Sequence, residues 1–186
     1  MQANDFSQLL EQLARSERAG HRYRDNGSVA ELTYGALVAE ADRLARGMYG
    51  LGVRRGDRVG LVLHRPQDFV PAFLGCVRAG FIAVPLFPPL TLGQLASWAA
   101  TTKRMLTTAG ASLLLADEPV AYTLRSLRDE MPSMREVVSI AELPDPAALQ
   151  LGRASDGAGV FRQLPSGSPS APRGVRATHG TLWAAA

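Results

Sequence analysis

The sequence predicts an α/β fold: a mostly parallel sheet with helices on both faces. Three observations predict it. Short segments that are apolar throughout recur along the chain, at residues 59–63, 81–84 and 112–116. Segments with helical spacing of apolar residues alternate with them. Glycines stand where each helix should stop, at Gly50, Gly80 and Gly110. Strands buried on both sides and joined through helices are the signature of a parallel sheet, and strand twist makes the crossovers right-handed.

Each element follows from its residues. Phe6, Leu9, Leu10, Leu13 and Ala14 lie on one helical face, with Asn4 or Asp5 as the cap. The turn Asp25-Asn26-Gly27 separates two extended segments, residues 21–24 and 31–33, and predicts a hairpin. A long helix begins near Tyr34, carries Leu37, Ala41, Leu44, Ala45 and Met48 on one face, and ends at Gly50 and Gly52. Gly56-Asp57 reads as a turn into the first sheet strand. After that strand, where His64 stands, Asp68 is the expected cap of a helix bearing Phe69, Val70, Phe73, Leu74 and Val77, with Pro71 in its first turn. Pro85, Pro88 and Pro89 give the next strand a rigid exit. Thr91 is the expected cap of a helix through Leu95, Trp98, Ala99 and Leu106, in which Trp98 reads as core. A helix at residues 120–130 and a strand at 136–140 follow. Residues 144–158 are rich in Pro, Gly, Asp and Ala and read as a surface connection. Strands at 160–164 and 174–177 and a helix start near His179 complete the reading.

Composition excludes several classes. A 186-residue chain that is 46% hydrophobic and 20% charged is ordinary for a globular protein. Its net charge of +3 and scattered arginines (Arg15, Arg43, Arg78, Arg104, Arg128) give no basic stripe for nucleic acid. Lys103 is the only lysine. The single cysteine, Cys76, lies in an apolar run and is expected to be a buried, inert thiol. No secretory signal and no run long enough to span a bilayer is visible, so a reducing cytoplasm is the expected compartment.

Chemistry concentrates near the end of the chain, in SGSPSAPRGV, residues 166–175. Small hydroxyl residues and glycines let backbone N–H groups turn inward around phosphate oxygens. Arg173 adds a fixed positive charge. A plain surface loop has the same composition, so the text alone leaves both readings open. Neither a Walker A triplet nor a GxGxxG fingerprint after the first strand is present.

QLPSGSPSAPRGVRATHGTL resembles the phosphate-loop motif of adenylate-forming enzymes (acyl-CoA synthetases, fatty-acyl-AMP ligases, adenylation domains), written QYTSGSTGxPKGVxxTHxNL. Gln163, Ser166, Gly167, Ser168, Pro172, Gly174, Val175, Thr178, His179 and Leu182 fall in register. Residues 31–63 resemble that family's opening helix and first sheet strand, and residues 68–89 its next helix and strand. The ending AVPLFPP, with Ser170-Ala171-Pro172, is most similar to the fatty-acyl-AMP ligase branch.

The resemblance implies the first portion of the family's N-terminal AMP-binding domain over residues 1–186. Residues 1–57 would be its N-terminal helix, hairpin and helix, 58–143 its sheet portion, 144–158 a connection and 159–186 the phosphate-loop region. It implies activation of a fatty or other carboxylic acid by ATP, with Mg²⁺ expected, followed by transfer to CoA or an acyl carrier protein. Ser166, Gly167, Ser168, Ser170, Arg173 and Gly174 would hold ATP phosphates, with Arg173 where the motif has lysine. His179 would shape the loop. Pro165 and Pro169 depart from the motif, each replacing a threonine and removing a hydroxyl and a backbone donor. The family's magnesium ligand, ribose-binding aspartate and catalytic lysine lie downstream of the matched region. The chain by itself is therefore expected to be inactive and prone to self-association. The rival expectation is a non-catalytic module that keeps the scaffold and binds a partner.

Overall fold

A computed structural model describes residues 6–15, 19–25, 28–89, 95–145, 159–163 and 175–178. The first layer is a helix α1 (Phe6–Ala14), a two-stranded antiparallel ribbon of β1 (Ala19–Asp25) and β2 (Ser28–Thr33), and the long helix α2 (Tyr34–Gly50). Thr33 starts α2: its backbone is extended and its Oγ1 accepts from the Ala36 N–H at 3.1 Å. The expected cap of α1 and the tip of the hairpin, Asn26-Gly27, lie outside the described residues.

The sheet follows. Its strands are β3 (Arg58–Val62), β4 (Ile82–Pro85), β5 (Ala111–Ala116), β6 (Glu136–Ser139), β7 (Gly159–Gln163) and β8 (Val175–Thr178), in the order β6-β5-β3-β4-β7-β8. Neighbours are parallel except β7 and β8, which are antiparallel. The helices between them are α3 (Pro66–Ala79), α4 (Leu95–Ala109) and α5 (Glu118–Arg125).

Alternation along the strands builds two cores. Leu113 and Leu115 of β5, with Val59 and Leu61 of β3, Ala83 of β4 and Val138 of β6, pack against Leu44 and Met48 of α2 and Ala72 and Cys76 of α3. Leu114 and Ala116, with Val62 and Val137, pack on the opposite face against Leu106 of α4 and Val120 and Leu124 of α5. Chain direction explains the split. The step from β3 to β4 runs one way across the sheet and the step from β4 to β5 runs back, so right-handed crossovers put α3 and α4 on opposite faces. The expected parallel sheet with two covered faces is what forms.

Glycine permits the closest approaches. A Cβ on Gly75 of α3 would stand 2.6 Å from the carbonyl oxygen of Ala41 in α2. The same pair of helices is tied by Arg78, whose Nε and Nη2 donate to the two carboxylate oxygens of Asp42 at 2.6 and 3.0 Å. Gly80 ends α3 with φ at +73°, the left-handed geometry that glycine adopts without steric cost.

Three expectations change. Asp68 does not cap α3. Pro66 opens the helix, because its fixed φ suits the first helical position, and Arg65 before it is held extended, at φ −86° and ψ 128°. Asp68 sits in the first turn, where its charge favours the helix dipole, and accepts from Arg65 Nε at 2.7 Å. Pro71 consequently lies inside the helix rather than in its first turn. The helix expected over residues 120–130 is α5 followed by a separate 3₁₀ turn, Arg128–Glu130. Ser126 and Thr123 turn their hydroxyls back onto the carbonyls of Thr123 and Pro119, a local competition that weakens a helix end. The cap at Thr91, the connection from residue 146 to 158 and the helix start near His179 lie outside the described residues.

Candidate functional site: the carboxyl edge of the sheet

In an open parallel sheet, ligands bind outside the carboxyl ends of the strands, where neighbouring strands send their connections to opposite faces. Here that switch flanks β3. Its own exit leads to α3 on one face, while the exits of its neighbours β4 and β5 lead to α4 and α5 on the other.

The strands end level with one another. Leu61 of β3 stands opposite Pro85 of β4, and Ala83 of β4 opposite Phe161 of β7. From Phe161, β7 runs on parallel to β4 and ends at Gln163. The end of β7 at Gln163 therefore faces the same edge as the exits of β3 and β4, and β7 lies roughly 10 Å from β3 at two strand spacings. Strand β8 begins at Val175, which pairs with Gln163.

The expected phosphate-binding residues Ser166, Gly167, Ser168, Ser170, Arg173 and Gly174 fall between β7 and β8 in the sequence and lie outside the described residues, as does His179. The flanking strands β7 and β8 are described.

Among the described residues, the edge is built from side chains that sequence reasoning treated as bland. His64 follows β3, and Asp117 follows β5. One carboxylate oxygen of Asp117 accepts both from the His64 backbone N–H, at 2.9 Å, and from the ring Nδ1, at 2.5 Å. His64 is half exposed at the side chain (48%). Its Nε2 faces the Pro89 carbonyl oxygen at 3.5 Å. Trp98 of α4 donates from its indole N–H to the Phe87 carbonyl at 2.8 Å while its ring packs partly buried against the second core. The Phe87 side chain itself is 83% exposed. The exit of β4 is thus held by a histidine on one side and a tryptophan on the other.

Asp117 occupies the N-cap position of α5 but makes no capping bond to that helix. Its sequence context, before Glu118-Pro119, reads as an ordinary helix start. Only the partner 53 residues earlier reveals the other use of the carboxylate. Other residues behave as expected. Gly56 makes a turn at φ +84°, with Asp57 accepting from the Arg54 N–H at 3.0 Å. Cys76 is fully buried, and desolvation pushes its thiol well above the usual thiol range.

Comparison with known proteins bears on this edge. A profile described as "AMP-binding enzyme" matches residues 11–186. A Caulobacter vibrioides (strain NA1000 / CB15N) protein provisionally named an acyl-CoA synthetase is 30% identical over 183 residues, covering 96% of this chain and 31% of the relative. A solved structure from work on fatty acyl-adenylate ligases of E. coli and L. pneumophila superposes with a TM-score of 0.83 at 30% identity, over 94% of this chain and 32% of that one. An L. pneumophila fatty acyl-adenylate ligase in complex with acyl adenylate and pyrophosphate shares the fold, with a TM-score of 0.82 at 22% identity, over 99% of this chain and 32% of that one. The chain belongs to the AMP-binding enzyme family. It spans about a third of the length of these relatives.

Proposed function

We propose that this chain is the part of an acyl-activating enzyme that holds the phosphates of ATP while a fatty or other carboxylic acid is converted to its acyl-adenylate. What supports it most is the motif itself: residues 163–175 carry the family's serine and glycine pattern, and its two ends, Gln163 and Val175, are paired where β7 reaches the carboxyl edge of the sheet. Membership in the family agrees with it.

On this reading the N–H groups around Ser166, Gly167 and Ser168, the Ser170 hydroxyl and the turn at Gly174 line the phosphate cradle. Arg173 supplies the charge that offsets the pyrophosphate as it departs. Mg²⁺ would accompany the nucleotide, and the acyl group would pass to CoA or to the thiol of a carrier protein. The chain by itself binds but does not complete the reaction. Residues 1–186 act as one portion of the nucleotide-binding domain, within the boundaries expected from the sequence.

The experiment is acid-dependent exchange of pyrophosphate into ATP, with the chain alone and with the chain continued into its downstream coding sequence. Exchange by the longer protein with a fatty acid, and none by the chain alone, is the expected result. No exchange by the longer protein with any acid would overturn the catalytic reading.

A second reading rests on Pro165 and Pro169, which remove two backbone donors and two hydroxyls from the motif. On that reading the chain is a non-catalytic scaffold that engages a partner, and Mg-ATP does not bind it.

A further inference from the structure

Strand β6 bounds one side of the sheet, with β5 as its neighbour and no strand beyond it among the described residues. An outer strand presents N–H and C=O groups on which another strand can add. Where those groups point follows from β5. The Ser112 carbonyl accepts from the Arg135 N–H, while the Asp117 N–H turns the other way, to Val62 of β3. Backbone groups alternate sides along a strand, so Leu114 and Ala116 also turn toward β6. In a parallel pair, the residue opposite one that turns inward turns outward. Val137, opposite Leu114, and Ser139, opposite Ala116, therefore point their backbone groups away from the sheet.

Side chains take two of these groups. Arg125, the last residue of α5, donates from Nε to the Val137 carbonyl at 3.1 Å. Glu142 accepts from the Ser139 N–H at 2.7 Å. The two side chains are also joined, Arg125 Nη2 donating to both carboxylate oxygens of Glu142 at 2.9 and 2.8 Å. Val137 and Ser139 are buried, whereas Arg125 and Glu142 are half exposed.

Local structure accounts for part of this. Ser139 and Glu142 form a capping box for the 3₁₀ turn Ile140–Glu142 that follows β6. A capping box calls neither for an arginine from α5 nor for a donor on Val137. What the pair reproduces is one residue of a neighbouring parallel strand, which gives its N–H to one carbonyl and takes the N–H two residues further on. The Arg125 Nε–H stands in for that N–H, and the Glu142 carboxylate for that C=O. A strand adding in either direction would need the same two groups.

We propose that Arg125 and Glu142 form an edge clamp: by occupying the Val137 carbonyl and the Ser139 N–H as an added strand would, they close β6 to strand addition by a second copy of this chain. The clamp is independent of nucleotide binding.

The test compares the whole chain with Arg125→Ala, Glu142→Ala and the double variant. Circular dichroism melts establish that each folds. Amide exchange at Val137 and Ser139 is then followed at rising protein concentration, beside sedimentation velocity. At low concentration Ser139 exchanges about ten- to a hundredfold faster in Glu142→Ala and in the double variant, the worth of a charge-assisted hydrogen bond. As concentration rises, the double variant forms heavier species than the parent, and its Val137 and Ser139 amides become protected. In the parent, the two amides exchange at rates independent of concentration.

Parent-like exchange of Ser139 in the double variant would overturn the clamp. A double variant no more associated than the parent, or one whose association leaves Val137 and Ser139 unprotected, would overturn the closure of β6. If the double variant fails to fold, Arg125→Ala decides, since it frees the Val137 carbonyl and leaves the capping box in place. Heavier species with a protected Val137 amide are then expected, and parent-like sedimentation would overturn the proposal.

Discussion

Replacing Gly75 with alanine tests how α2 and α3 are held together. The new Cβ would fall 2.6 Å from the Ala41 carbonyl oxygen and 3.4 Å from the Ala45 nitrogen. Carbon and carbonyl oxygen rest no closer than about 3.3 Å, so the helices must part by about 0.7 Å along that line. The obstacle is backbone, which no rotamer change relieves. Overpacking of this kind costs about 2–3 kcal/mol. Alanine recovers about 1 kcal/mol of helix propensity. The net loss is then about 1–2 kcal/mol, or a melting temperature lower by about 2–8 °C for a chain of this size. Thermal melts followed by circular dichroism measure it. The companion variant Ala41→Gly should not rescue Gly75→Ala, because the colliding atom is the Ala41 carbonyl and not its side chain. A melting temperature that holds or rises in Gly75→Ala, or full rescue by Ala41→Gly, would refute the close-approach argument.

Three further outcomes are expected. Cys76 should resist iodoacetamide under native conditions and react at the rate of a free thiol in denaturant, since burial keeps its sulfur protonated; mass spectrometry of the native protein checks this. Glu142 accepts from the Ser139 N–H and pairs with Arg125, and these hold its carboxyl below the ordinary carboxylate range, the Ser139 bond foremost. Its contribution to stability is present above the unfolded-state value and is lost as pH falls through the lowered folded one, so Glu142→Gln should flatten the acid limb of a stability profile taken by urea unfolding. Gly80→Ala should cost about 1 kcal/mol, because φ of +73° is unfavourable once a Cβ is present; urea midpoints report it.

The sheet was legible in the sequence because its strands are buried on both faces. Runs such as Leu113-Leu114-Leu115 have nowhere to go but between two helical layers, and the positions of Gly80 and Gly110 mark where α3 and α4 end. Element starts were harder. Asp68 carries the chemistry of a cap, yet Pro66 and the constraint it puts on Arg65 decide where α3 begins. Pro71 was consequently assigned to the wrong turn. The break after Arg125 depends on two hydroxyls turning back onto carbonyls, which competes locally with an otherwise helical pattern.

The candidate site divides in the same way. The expected phosphate-binding residues, Ser166 to Gly174, stand out in the sequence as one continuous stretch of small residues and lie outside the described residues. The His64–Asp117 pair does not stand out there, because each partner has an ordinary local explanation and the tie between them exists only after β3 and β5 are set side by side. Neither residue type nor spacing along the chain encodes that neighbourhood. Strand order does.

The most direct measurement is a calorimetric titration of the chain with Mg-ATP, beside Arg173→Ala and the double variant Ser166→Ala/Ser168→Ala. The account predicts binding by the parent chain and a loss of about ten- to a hundredfold in affinity for Arg173→Ala, the worth of a charge-assisted hydrogen bond to phosphate, with a further loss in the serine pair. No heat of binding from the parent, or equal affinity in all three proteins, would contradict it.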